Sequence, residues 1–410
     1  VATETHQNES NIVKFLNKDA VIEFIRRAPE GISRAEIARI LDVSRSTISA
    51  IVDSLMASGL VLERGAGVSR GGRKPIVLEI NAEAGRVVGI DIGATHLVVL
   101  LTDLQGHILA EGARPLDITE GPEPCLQQTL AMVENVVTEA QCPWARVLGI
   151  GVGVPGPVIT AEGMVSAPPI MPGWDRFPIR RRIEERFGKT TSLDNDADLG
   201  ALGEWTFGAG QGENNLAYIK IGTGIGCGLL LNGQLYRGVL GTAGEIGHFT
   251  MSEVGPPCTC GNYGCLEAMA GGRAIAQRAA MAVKAGQRTM LTQLNGNREL
   301  TSHDVAVAAE AGDAVSQQLL NEAGRLIGSA LASLINLLNP GLVVIGGGVS
   351  GAGHWIMDPI HQTINERAMR ASRPATRVVP AALGSHSTAL GAVSVALTQV
   401  FRQYVETHRD

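Results

Sequence analysis

Cysteine is scarce in this chain, six in 410 residues, and nothing else in the sequence looks secreted, so a disulfide framework is a poor account of it. Positive charge is not in excess either. The 34 Lys and Arg against 40 Asp and Glu give a net charge of −6, which excludes a protein basic overall and confines any nucleic-acid binding to a local patch. The first residues carry Glu4, Glu9, Lys14 and Lys18 in place of an apolar run, and the expectation is a chain without a signal peptide that works in the cytoplasm. One stretch, Leu326 to Gly353, has no charge. Asn339-Pro340-Gly341 divides it into a helix-length piece and a short Val-Val-Ile strand, both too short for a bilayer, so no membrane partner is expected. What is present suits an ordinary globular protein of two or three domains: 45% hydrophobic residues, 18% charged, and 51 glycines, which point to many tight turns or loops whose backbone a ligand can approach.

Three of the cysteines stand together. His248, Cys258, Cys260 and Cys265 form a Cys3His set within one short segment, the composition of a closed structural Zn2+ site. Gly255, Pro256, Pro257, Gly261 and Gly264 between them suit an irregular loop wrapped around one ion. A loop with scattered free thiols is the plainer alternative. Cys125, Cys142 and Cys227 are isolated and read as buried apolar residues.

The first eighty residues predict a DNA reader. From Ala20 to Ile25 apolar residues recur at helical spacing, up to Pro29-Glu30-Gly31. Ser33 with Glu36 forms a capping box that starts a helix to about Leu41; Asp42-Val43 turns the chain, and Ser44 caps a second helix to about Ser58. Ile48, Ile51, Val52 and Leu55 share one face of it. At its start Ser44, Arg45, Ser46, Thr47 and Ser49 are small or polar enough to enter a major groove. Val61-Leu62 opens a hairpin that returns through Ile76 to Ile80. Its tip holds Arg64, Arg70, Arg73 and Lys74 with no acid among them, suited to a narrow minor groove. A helical packing module without a DNA role accounts for the helices but leaves this basic wing unexplained.

Residues 81 to 410 alternate strand and helix signals, an α/β pattern. Three Gly-rich elements follow apolar runs. The first contains Asp91, Gly93 and Thr95 and reads as a hairpin whose turn approaches phosphates, with Asp91 placed to hold water around Mg2+. The second, Gly222-Thr223-Gly224, offers backbone N–H groups and a hydroxyl to an anion. The third, Gly346-Gly347-Gly348, makes a flat surface for an adenine ring. Each alone looks like any Gly-rich turn after a strand. None is a Walker A loop, since G-K-[ST] is missing, and the G-x-G-x-x-G reading fails for want of its strand-to-helix context. Between the first two lies Leu193-Asp194-Asn195-Asp196-Ala197-Asp198, where a carboxylate could accept a proton from a sugar hydroxyl attacking a phosphoryl group. A solvated loop with a helix N-cap is the plainer reading.

The motifs together resemble the ROK family, which unites bacterial sugar kinases and sugar-responsive repressors. The match is carried by Gly244-Glu245-Ile246-Gly247-His248, by Cys265-Leu266-Glu267, by Gly153 to Pro157, by Pro172-Gly173-Trp174 and by the head's S-R-x-E-I-A pattern with its G-R-K-P wing. The resemblance implies a winged helix-turn-helix at residues 1–80 and a two-lobed actin-like ATPase (ribonuclease H-like) body. Lobe 1 is expected at residues 81–200 with a C-terminal helix at 388–410, and lobe 2 at 201–387. It implies Asp196 as the base if the chain is a kinase, Asn195 hydrogen-bonding the sugar, and Glu245, His248 and Glu267 as further sugar contacts. It also implies a structural Zn2+, operator DNA and a monosaccharide or derivative as partners, and a homodimer or homotetramer. Ala94 and His96 depart from the kinase version of the first loop, D-x-G-G-T-K, and Ala167 to Trp174 lacks the asparagine of A-P-N-L-x-W. A sugar-responsive repressor uses the whole chain. An ATP-Mg2+-dependent sugar kinase leaves the wing unused, and a zinc hydrolase has no open metal position.

Overall fold

The computed structural model describes residues 18–28, 30–66, 76–294 and 298–407. The basic wing residues Arg70, Arg73 and Lys74 lie outside the described residues.

The head opens with helix α1, residues 18–26, and strand β1, Ile32–Ser33. Helix α2, Arg34–Ile40, begins at the expected capping box: Ser33 accepts from the Glu36 N–H, and the Glu36 carboxylate accepts from the Ser33 N–H. Asp42 turns the chain with φ 52°, and Ser44 caps α3, Arg45–Ala57, by accepting from the Thr47 N–H at 3.1 Å. Strands β2, Val61–Ala66, and β3, Ile76–Ile80, complete an antiparallel sheet in the order β1-β3-β2. The apolar face of α3 is buried, so its polar face is what remains for solvent.

The body contains two five-stranded sheets with one plan. In the first, β4 (Arg86–Ile92), β5 (His96–Asp103) and β6 (Ile108–Pro115) run antiparallel. Strand β7 (Val147–Val154) pairs parallel with β4 beyond helix α4 (Pro122–Glu139). After the small hairpin of β8 (Val158–Ile159) and β9 (Met164–Val165) and helix α5 (Ile179–Phe187), β10 (Thr191–Asn195) pairs parallel with β7. Helix α6, Asp196–Phe207, leads into the second sheet. There β11 (Leu216–Ile221), β12 (Ile225–Leu231) and β13 (Gln234–Leu235) repeat the antiparallel unit. After helices α7 (Leu266–Ala270), α8 (Gly272–Lys284), α9 (Leu291–Leu294), α10 (Ser302–Glu310) and α11 (Ala314–Leu338), strand β14 (Leu342–Gly346) pairs parallel with β11. Helix α12 (His354–Arg367) leads to β15 (Arg377–Pro380), which pairs with β14. Both sheets therefore place two parallel strands beside a three-strand meander. The hairpin turns β4–β5 and β11–β12, the first two Gly-rich elements, occupy equivalent places in the two repeats.

The long uncharged stretch resolves as expected: α11 ends at Leu338, and Asn339 terminates it in a left-handed conformation at φ 44°. No described helix is long and apolar enough to cross a membrane.

The last helix, α13, Ser387–Thr407, returns to the first lobe and packs beside α6. Its Val393, Ala396, Leu397, Val400, Phe401 and Val405 share one buried cluster with Ile22 and Ile25 of α1 and with the core of α2 and α3. Head and body thus have a common hydrophobic interface, and burying such residues stabilises by about 1.5–3 kcal/mol per large side chain.

Candidate functional site

Strand β10 and helix α6 meet at Asn195-Asp196. Asn195 has extended backbone and caps α6, its Oδ1 accepting from the N–H groups of Ala197 at 2.8 Å and Asp198 at 3.2 Å. Its Nδ2 donates to the Gly156 carbonyl at 2.9 Å, which ties the turn to the Gly153–Pro157 loop. Of the plainer reading, a solvated loop with a helix N-cap, the cap is true of Asn195 and the solvated loop is not, since Asp194 and Asp198 are buried; one Asn195 amide hydrogen remains for a ligand. Asp194 is buried and ion-paired with Arg237. Asp198 is 5% exposed, and burial, with Asp194 next and then Asp196 and Glu245, pushes its carboxyl up to about 8 despite Arg237.

A lysine that the sequence reading passed over sits at the centre. Lys220 Nζ, from β11, donates to Asp196 Oδ2 at 2.9 Å and to Thr388 Oγ1 at 3.3 Å, and lies 3.8 Å from Asp91 Oδ2. Thr388, at the start of α13, donates in turn to the Asp196 carbonyl at 3.1 Å. Burial opposes the charge on Lys220, but the carboxylates of Asp196 and Asp91 outweigh it and raise its pKa. Burial likewise disfavours the charged form of Asp91, and Lys220 with His96 more than offsets this and lowers its pKa. The pairing gathers Asp91 from the first Gly-rich element, Asp196 from the start of α6 and the strand leading to Gly222. The signal was available: one charge interrupts the apolar run Leu216 to Ile221.

The three Gly-rich elements lie at the strand ends around this pairing, and the region they bound is the candidate cleft. Gly93 donates from its N–H to the His96 carbonyl at 2.9 Å, and Thr95 is exposed at the turn. Ala94 has no positive φ, so its methyl group is compatible with the turn. At the second turn the Gly222 N–H donates to the Gly224 carbonyl at 2.9 Å, and the carbonyls of Gly222 and Thr223 accept from Gly272 and Arg273 at the start of α8. Glu267 lies directly on this turn: its Oε2 accepts from the Ile225 N–H at 2.9 Å, and a Cβ at Gly224 would come within 2.0 Å of it. Gly346 ends β14 beside Tyr218, Gly347 turns at φ 86° against the Ile221 backbone, and Gly348 is exposed.

Four ligand atoms from His248, Cys258, Cys260 and Cys265 lie within 4.8 Å of one another. Cys260 Sγ and Cys265 Sγ are 3.7 Å apart, and Cys258 Sγ is 3.6 Å from His248 Nδ1. Tetrahedral Zn–S bonds of about 2.3 Å place neighbouring sulfurs roughly 3.8 Å apart, so the donor set fits a metal ion. The other ring nitrogen, His248 Nε2, faces away, 3.7 Å from Glu245 Oε2.

In the head, Ser44, Arg45 and Ser46 are exposed, and Thr47 and Ser49 half-buried, at the N-terminal end of α3. The hydroxyl of Ser44 lies 2.9 Å from Ser46 Oγ and 2.7 Å from Thr47 Oγ1, a connected polar surface.

Comparison with known proteins agrees with both halves. The ROK family model matches residues 87–399, and that of the MarR family matches residues 20–71. A putative xylose repressor of Caldicellulosiruptor sp. (strain Rt8B.4) is 32% identical over 396 residues, covering 96% of this chain and 99% of the relative. A solved ROK family transcriptional regulator, a homolog of the E. coli MLC protein, superposes with a TM-score of 0.80 at 26% identity, covering 97% of this chain and 98% of its own. A ROK family glucokinase from Streptomyces griseus, solved with glucose and AMPPNP, is 31% identical with a TM-score of 0.68; it covers 76% of this chain and 99% of its own. With a matching body, a matching head and relatives spanning its length, this chain belongs to the ROK family.

Proposed function

We propose that the chain is a sugar-responsive transcriptional repressor whose head reads operator DNA and whose cleft binds a monosaccharide or a derivative of one. The observation that carries this reading is the shared helix pair. Helices α6 and α13 begin at the cleft, with Asp196 and Thr388, and run beneath the head, where α13 enters the head's hydrophobic cluster. A ligand that moves the start of this pair bears on the platform of the DNA reader. Asp196, Glu245, His248 and Glu267 are the groups assigned to sugar hydroxyls, which the carboxylates bind by charge-assisted hydrogen bonds and the imidazole by its remaining N–H. A sugar kinase remains the less supported alternative, since it leaves the head without a role.

His248, Cys258, Cys260 and Cys265 are assigned one structural Zn2+. When bound, the ion fills its coordination with protein ligands and supplies rigidity. Ligation through Nδ1 would leave the proton on His248 Nε2, 3.7 Å from Glu245 Oε2, to be donated there or to a ligand hydroxyl. Symmetric pairing of two chains on a palindromic operator completes the reading.

The test is selection of duplex DNA from a random pool by the full chain, followed by titration of monosaccharides against the enriched sequence. The expected result is a palindromic site whose affinity one sugar changes by roughly 5- to 150-fold, the usual range of coupling between sites. Lack of enrichment over random duplex would sink the proposal.

A further inference from the structure

A nucleotide with Mg2+ in this cleft requires Asp91 to face the cation, and the residues present do not fit that ion. Asp91 Oδ2 already accepts from His96 Nε2 at 3.1 Å and has the Lys220 ammonium at 3.8 Å. Asp91 Oδ1 is buried and without a hydrogen-bond partner, so of the two oxygens it is the one still open to a cation, which the ammonium beside Oδ2 opposes. The residue is 2% exposed overall. The imidazole of His96 lies on the first Gly-rich turn itself: a Cβ at Gly93 would come within 2.1 Å of the ring. Lys220 comes from the second sheet and reaches across to the first, its side chain 13% exposed, with Asp196 Oδ2 at 2.9 Å. One internal ammonium thus stands between the two carboxylates that a divalent cation would approach.

We propose that Lys220 is a resident cation that takes the place of the divalent metal, so the cleft binds its ligand without Mg2+ and does not transfer phosphate. Two consequences follow from charge and geometry. A dication brought beside Asp91 would be repelled by an ammonium within about 4 Å, in a site where water screens poorly. Asp196 Oδ2 is engaged by the same ammonium at 2.9 Å, so one of its two oxygens is already taken up by an internal donor. The ammonium brings one positive charge to two carboxylates and joins β11 to the starts of α6 and α13. It rests on the sugar-sensing reading of the same cleft, and the two fail separately.

The experiment uses Mn2+ alone as the probe, with free Mn2+ followed by electron paramagnetic resonance in the full chain. Wild type is expected to show no Mn2+ binding that Asp91→Asn removes. Lys220→Met, which keeps the length and loses the charge, is expected to gain one Mn2+ site at least roughly tenfold tighter, the order of effect of removing one nearby charge. That site should vanish in the Lys220→Met/Asp91→Asn double variant, and Lys220→Arg should behave as wild type. Should Lys220→Met not fold, wild type against Asp91→Asn still decides. An Asp91-dependent Mn2+ site in wild type, or no tightening in a folded Lys220→Met, overturns the inference. Calorimetric titration of monosaccharides into metal-free wild type is read separately. Sugar-silent protein without an Asp91-dependent Mn2+ site supports the lysine inference and sinks the sensor reading, while sugar binding together with such a site does the reverse.

Discussion

The guanidinium of Arg27 lies 3.8 Å from the centroid of the Trp205 ring, joining the head's first helix segment to the far end of the helix that begins at Asp196. Beside it Arg26 donates to Ser394 Oγ of α13 at 3.1 Å, and the same hydroxyl lies 3.1 Å from Thr206 Oγ1 of α6. These polar contacts pin the head to both members of the helix pair. Arg27→Ala removes a cation–π contact worth about 0.5–2 kcal/mol. Sugar affinity, measured by calorimetry, is expected to stay within about twofold, while the change in DNA affinity caused by sugar shrinks by roughly 2- to 30-fold. An undiminished response in DNA anisotropy would show that the contact plays no part in coupling.

DNA binding is expected to separate into positioning and reading. Neutralising Arg70, Arg73 and Lys74 should weaken binding to all sequences alike and flatten the dependence on salt by about one phosphate equivalent per lost contact. Arg45→Ala should relax preference at one base position, costing about 1–3 kcal/mol there, because Arg45 is exposed at the leading end of α3. Competition anisotropy across single-base operator variants reads both; a uniform loss from Arg45→Ala would place it on phosphate.

Removing the metal should disturb the sugar site without touching it. Elemental analysis is expected to find one zinc per chain, and Cys260→Ser to lose it. Because His248 has one nitrogen toward Cys258 and the other toward Glu245, the vacated loop should cost sugar affinity on the order of 10-fold or more. Unchanged sugar affinity in a zinc-free Cys260→Ser chain would remove that link.

Asp196→Asn is expected to weaken sugar binding by the value of a hydrogen bond to a charged group, about 1.5–3 kcal/mol. Wild type should show no ATP-dependent phosphorylation at ordinary kinase rates of about 1–100 per second. Such turnover, abolished by Asp196→Asn, would make the protein an enzyme that also carries a DNA-reading head.

Much of this was legible in local sequence because the governing forces are local. Ser33 with Glu36, Ser44 before Arg45, and Asn339 after Leu338 mark helix ends through hydrogen bonds spanning three or four residues, and each end falls where those residues predict it. The Cys3His set is also local, confined to the span from His248 to Cys265, and its four donors do come together. What the sequence did not disclose is the meeting of Lys220 with Asp91, Asp196 and Thr388, whose separation along the chain is up to 297 residues between Asp91 and Thr388 and is closed only by packing the two sheets around α6 and α13. The docking of α1 on α13 is hidden for the same reason: amphipathic helices announce that a face is buried but not which element covers it.

Asp198 gives the clearest pH test. Its carboxyl is held neutral in the folded chain, pushed up to about 8 by burial and then by Asp194, whereas in the unfolded chain an aspartate titrates near about 3.9. Below pH ~4 the side chain is protonated in both states and contributes nothing to the pH dependence. Between those values the folded state keeps a proton that the unfolded state has released, so stability falls as pH rises, by about 1.4 kcal/mol per unit. Above about 8 both states are ionised and the loss stops growing. Asp198→Asn replaces the neutral acid by a neutral amide that never ionises, so the variant should gain on wild type steadily from pH 5 to pH 8. Thermal unfolding of both chains across that range reads the gap in Tm. The gap is expected to widen with pH, by about 2.6 kcal/mol between pH 5 and pH 7. A gap that stays constant, or narrows, would mean that Asp198 ionises normally in the folded cleft and that Arg237 compensates its burial.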